Sequence, residues 1–182
     1  MGALMGVFLL LLLVSPALGQ TASRPASVQI NGGQFTLATN GANVVFPSLT
    51  LSGLPQVAVA STVPTFTIID ARGTGAGWKL SVQSTDFVSG GRTIPATGYS
   101  FLASGGTVTA VYGQSVGAGG PAETGLSGNL NAVLKVLSSN VDWGMGYYRY
   151  TPNSSNLTLQ VPAETYAGTY TAVMTFTLAT GP

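Results

Sequence analysis

The sequence predicts an all-β fold: a single-domain β-sandwich or distorted barrel of short, mainly antiparallel strands. Three observations carry this reading. Apolar residues alternate with Thr, Ser and Asn in short runs. The runs are punctuated by Asn31-Gly32-Gly33, Asn40-Gly41, Gly73-Thr74-Gly75, Gly90-Gly91 and Gly105-Gly106. Beyond the N-terminus, no stretch spaces its apolar residues at a helical period. Successive strand side chains point to opposite faces, so alternation of this kind buries one face and wets the other.

In chain order, the first feature is an apolar run from Val7 to Val14 containing five consecutive leucines, Leu9–Leu13. Ser15-Pro16 breaks it, and Ala17-Leu18-Gly19 supplies small residues at a cleavage-like spacing. The run is shorter than the roughly 20 residues that span a bilayer as a helix. Residues 1–19 therefore read as a signal peptide cut before Gln20, although no Lys or Arg precedes the run. An uncleaved anchor is the alternative. Residues 20–26 read as a flexible lead and residues 27–182 as one all-β domain.

Within that domain the expected strands are Ser27–Asn31, Gln34–Ala38, Asn43–Leu51, Thr65–Asp70, Trp78–Ser84, Gly98–Ala103, Thr107–Tyr112, Ala132–Leu137, Gly146–Tyr150, Asn156–Val161 and Thr169–Leu178. The last run shows the logic. Tyr170, Ala172, Met174, Phe176 and Leu178 share a face, and Thr171, Thr175 and Thr177 share the other with Val173. β-Branched threonine suits a solvated pleated face. Gly113–Asn129 is rich in Gly and poor in bulky apolar residues, so it reads as a long surface loop.

Six basic and five acidic residues give a formal net charge of +1. So few charges leave the surface to uncharged polar groups and favour association over repulsion. They form no basic cluster of the kind that neutralises phosphates, so nucleic acid is not an expected partner. The chain has neither Cys nor His, which removes disulfides and the commonest metal ligands and general bases. No cofactor, metal or catalytic residue is expected. Asp70 and Asp86 are the carboxylates a hairpin can bring closest, but Arg72 beside Asp70 spoils it as an acid.

One stretch combines an apolar strand, Asp70-Ala71-Arg72, the Gly-rich turn Gly73-Thr74-Gly75-Ala76-Gly77 and the strand opening Trp78-Lys79-Leu80. A second runs from Leu157 to Val161, through Gly168-Thr169-Tyr170, to Phe176-Thr177-Leu178. Together they resemble the two signatures of the WxL domain, with Phe176 where that family usually carries its second tryptophan. The resemblance covers roughly residues 28–182. It implies an all-β surface domain held non-covalently on the bacterial envelope, often on peptidoglycan and alongside partner surface proteins.

The residues themselves allow two readings. Trp78 and Leu80 share a strand face, as core anchors or as a glycan contact with Lys79. Asp70 and Arg72, two apart in an extended chain, can pair. Phe176 and Leu178 match the second signature. Trp143 and Tyr147, near Tyr148 and Tyr150, are the other candidates, because aromatic faces stack on sugar rings. The expected partner is a cell-wall polymer, with other surface proteins or self-association beside it and no membrane span once the signal is removed. The alternative from another class is a structural subunit of a surface fibre or layer, completing a neighbour's sheet by strand addition.

Overall fold

The central strand β3 (Phe66–Asp70) buries Phe66, Ile68 and Asp70 and leaves Thr67 and Ile69 half-exposed, as its alternation requires. The computed structural model describes residues 20–182. The signal run and cleavage site expected in residues 1–19 lie outside the described residues. The chain divides into two compact units, Met1–Ile30 and Asn31–Pro182. In the first, residues 20–30 are exposed and form neither helix nor strand.

The second unit is antiparallel throughout. β1 (Phe35–Thr39) pairs with β3, which pairs with β12 (Gly146–Thr151), which pairs with β8 (Thr107–Gly113). β14 (Met174–Thr180) pairs with β4 (Trp78–Ser84), followed by β11 (Leu134–Ser139) and β9 (Ala122–Glu123). A third sheet runs β10 (Ser127–Asn129), β7 (Tyr99–Leu102), β13 (Leu157–Val161) and β2 (Gln56–Val59). β5 (Phe87–Ser89) and β6 (Arg92–Ile94) form a hairpin through Gly90 and Gly91, whose φ angles of 52° and 80° suit a type I′ turn. The architecture is a β-sandwich and not a closed barrel.

The inner faces meet through aromatic rings. Phe66 of β3 lies 4.3 Å, centroid to centroid, from Phe176 of β14, which joins the first two sheets. Phe46 inserts edge-on against Phe87 and Tyr99. These tilted and T-shaped geometries are the favoured ones for quadrupolar rings.

Several expectations are corrected. Ser27–Asn31 is not a strand: Val28 and Ile30 are 83% and 86% exposed, so their alternation buries nothing. Asn43–Leu51 yields one bridge, Val45 to Thr62, because Pro47 has no N–H to continue a ladder. Gly113–Asn129 is not a plain loop but contains β9 and β10. The last run becomes a regular strand only from Met174, with Thr171 bridging Val88 before it.

Three tyrosines, Tyr99, Tyr148 and Tyr150, are fully buried, and burial pushes each hydroxyl above its ordinary value. Tyr150 additionally donates to Glu123 Oε1 at 2.8 Å, which favours the neutral phenol further. The folded state therefore prefers the protonated rings. Their contribution is complete below the unfolded tyrosine value of about 10 and is lost as pH climbs from there towards the raised folded values. The thermal midpoint is expected to hold up to about pH 10 and then fall. Phenolate absorbance from these rings should appear only together with loss of the strand circular dichroism signal.

Candidate functional site

The two signatures are neighbours in one sheet. Across the ladder between β4 and β14, Leu80 faces Leu178 and Val82 faces Phe176. Trp78 and Leu80 are completely buried. Side chains with no accessible surface cannot touch a polymer, so their reading as ligand contacts is corrected to core anchors. Phe176 and Leu178 are half-buried and pack against the same core. The phenyl ring at position 176 meets Phe66 and needs no donor there. Lys79, on the outer face, is half-exposed with Nζ 3.4 Å from Pro182 O.

The turn before Trp78 is a polar lock. Arg72 grips Asp70 with two hydrogen bonds, Nε to Oδ1 and Nη2 to Oδ2, both 2.8 Å. The Asp70 side chain is 1% exposed and that of Arg72 16%. The bidentate fork is the strong form of such a pair, and it raises the guanidinium's affinity for its proton. Arg72 also donates from Nη2 to Gly77 O at 3.1 Å and from Nη1 to Thr180 Oγ1 at 2.6 Å. Its Cζ sits 3.7 Å above the Phe35 ring. One side chain thus ties β3, the Gly-rich turn, β14 and β1 together. Gly77 has φ +66°, and a Cβ there would stand 2.6 Å from Ser139 O and 2.7 Å from Asn140 O. Only glycine lets the turn approach the end of β11 so closely.

Trp78 in turn holds the loop that leads into β12. Its Nε1–H donates to Gly144 O at 2.9 Å, and its ring lies 6.1 Å from that of Tyr148. A Cβ on Gly144 would lie 2.6 Å from the indole nitrogen, so the loop rests directly on the ring. Gln114 clamps the same loop from β8's end, donating to Asp142 O and accepting from Met145 N. Trp143, in this loop, is half-buried against Gly119 of the Gly-rich segment. Among the described residues no ring contact joins Trp143 to Tyr147.

Tyr147 finds a different partner. It lies opposite Tyr112 of β8, with ring centroids 6.3 Å apart and planes at 41°. Tyr112 is 74% exposed. On the other side Tyr147 faces Ile69 of β3, and one pair further along Arg149 faces Thr67 and Thr109. The outer face of this sheet therefore presents two tyrosines flanked by Ile69 and the exposed Arg149. Sequence reasoning missed Tyr112. Strict alternation from Thr107 and Thr109 would put Val111 outward and Tyr112 inward. A bulge between the Tyr112 and Ala110 pairings reverses that parity. The nearest sequence signal is the aromatic residue at the end of a Thr-Val-Thr-Ala run.

The carboxylates hold structure. Glu123 accepts from Gly106 N and Tyr150 Oη, and Asp86 accepts from Ala96 N at 2.7 Å. Asp70 ends β3 and Asp86 follows β4, and these strands belong to different sheets, so no β3–β4 hairpin pairs the two. Among the described residues no helix is long and apolar enough to cross a membrane.

No curated protein and no solved structure matches the chain. A family model described as "WxL domain surface cell wall-binding" matches residues 28–182. That match spans both signatures and every sheet described above. The chain belongs to the WxL family of surface cell-wall-binding domains, and its place is the surface of the cell envelope.

Proposed function

We propose that the protein binds the wall non-covalently through the outer face of β12 and β8, and that it carries out no bond chemistry there. The observation that carries this reading is the Tyr112–Tyr147 pair on the outer face of the sheet, Tyr112 exposed and Tyr147 half-buried beside it. Tyrosine rings offer apolar faces to the C–H surface of sugars and hydroxyls to their oxygens. Arg149, exposed one pair further along, supplies charged donors for carboxylate or phosphate groups on a wall polymer. Peptidoglycan offers both sugar faces and carboxylates, and it is the polymer proposed. Trp143 and Lys79 are secondary candidates, each only partly exposed. Export behind residues 1–19, with cleavage after Gly19, belongs to the same proposal.

The test is co-sedimentation of the purified protein with insoluble cell walls. Tyr112→Ala with Tyr147→Ala is expected to weaken binding at least about tenfold, the effect of losing about 1.4 kcal/mol. The thermal midpoint should barely move, because neither ring is in the core. Unchanged binding by the double variant would remove the tyrosine face from consideration.

A further inference from the structure

The loop that follows β13 folds back against the β5–β6 hairpin and is pinned there. Thr165 N donates to Pro162 O at 3.2 Å, closing a turn. Tyr170 Oη donates to Tyr166 O at 3.1 Å. Thr171 then bridges Val88 of β5 through two hydrogen bonds, at 2.8 and 3.1 Å. A Cβ on Gly168 would stand 2.7 Å from Ser89 Oγ, so the loop lies close against the hairpin. Between loop and hairpin is a cleft of about 430 Å³. Arg92 and Pro95 line it from the hairpin side, and Pro162, Glu164, Tyr166 and Tyr170 from the loop. Apolar surface with a few convergent polar groups is the usual make-up of a small-molecule site. Because its walls are already tied together, ligand binding need not order them.

Two opposite charges stand in this cleft without partners. Arg92 Cζ sits 3.7 Å from the centre of the Tyr166 ring. Stacking holds the planar guanidinium by its face and leaves its N–H donors at the edge. Among the described residues those donors meet no protein acceptor, and the Glu164 carboxylate meets no donor. Nor do the two pair with each other, since the one ion pair among the described residues joins Asp70 to Arg72. We propose that the cleft binds a zwitterion: a free amino acid or short peptide whose carboxylate takes the Arg92 fork and whose ammonium takes Glu164. The carbon chain between them lies on Pro95, Pro162 and the Tyr170 ring. Charge selects this class of ligand. A neutral sugar leaves both charges unanswered, and a polyanion is repelled by Glu164. The cleft shares no residue with the Tyr112–Tyr147 face, so this proposal and the wall-binding reading stand or fall separately.

The probes are alanine and its di-, tri- and tetrapeptides, each with both termini free. Each added residue moves the ammonium from the carboxylate by up to about 3.5 Å, so the series scans the span between Arg92 and Glu164. Titrated into ¹⁵N-labelled protein, at least one member should give saturable shifts at the amides of Arg92, Thr93, Thr165 and Tyr166, with that of Tyr112 unmoved. Amidating the carboxylate of that member, or acetylating its amine, should raise the dissociation constant at least about tenfold. Arg92→Gln and Glu164→Gln should each do the same with the uncapped peptide. Circular dichroism of both variants should match the parent, because both side chains are exposed. Absence of saturable shifts with every member, undiminished affinity for either capped form, or parent-like affinity of either variant would each overturn the proposal.

Discussion

Trp78→Ala is expected to destabilise the protein by about 3–5 kcal/mol, the range for truncating a large buried aromatic residue. The ring is closed to solvent, contacts Tyr148 and carries the loop that rests on it through Gly144. Its removal leaves a cavity and strands the Gly144 carbonyl that now accepts from Nε1. Domains of this size hold a total stability on the order of 5–15 kcal/mol, so the variant should melt far below the parent. Trp78→Phe separates the two contributions. It keeps most of the ring but not the donor, and should cost about 1–3 kcal/mol. Urea midpoints at constant slope measure both. A loss below 1 kcal/mol for the alanine variant would mean that the indole does not anchor the loop.

Arg72→Ala is expected to cost about 3 kcal/mol or more, because it leaves the Asp70 carboxylate buried without its partner. It also removes the ties to Gly77 O and Thr180 Oγ1 and the contact over Phe35. Arg72→Lys keeps the charge but not the planar fork, and should recover only part of the loss. Asp70→Asn is the milder change at the other partner, since an amide oxygen still accepts while the ion pair is gone. Amide hydrogen exchange should quicken first at Gly181, whose N–H bonds to Gly77 O, and at the β14 end of the ladder. Uniform quickening across the third sheet would instead indicate global loss without a local role for the lock.

Much of this was written in the alternation of the chain. β3, β4, β12 and β13 fall where period-two runs predict them, and their inward residues are the core. The pairing of Asp70 with Arg72 also follows from spacing alone. What escaped did so for physical reasons. β2 inverts the usual pattern: Ala58 is buried while the larger Val57 and Val59 face outward, so side-chain size misleads about facing. β9 and β10 have two and three residues, too few to display a period. Bulges in β8 and β11 shift parity by one, which hid Tyr112 and buries both Val136 and Leu137. At Val28 and Ile30 the alternation is genuine but meets no core, so it speaks of an extended segment and not of a strand in this domain. Nothing in a linear sequence says that the two signature strands lie side by side. Of the two readings the residues allowed, the complete burial of Trp78 and Leu80 favours core anchors.

The proposed division of labour gives the buried signature the building of the sheet and the outer tyrosine face the contact with the wall. Nuclear magnetic resonance of ¹⁵N-labelled protein titrated with soluble peptidoglycan fragments tests that division directly. The account predicts shift changes at the amides of Tyr112, Tyr147 and Arg149, with the Trp78 indole N–H unmoved. Movement of the Trp78 indole signal while those three amides stay still would contradict it.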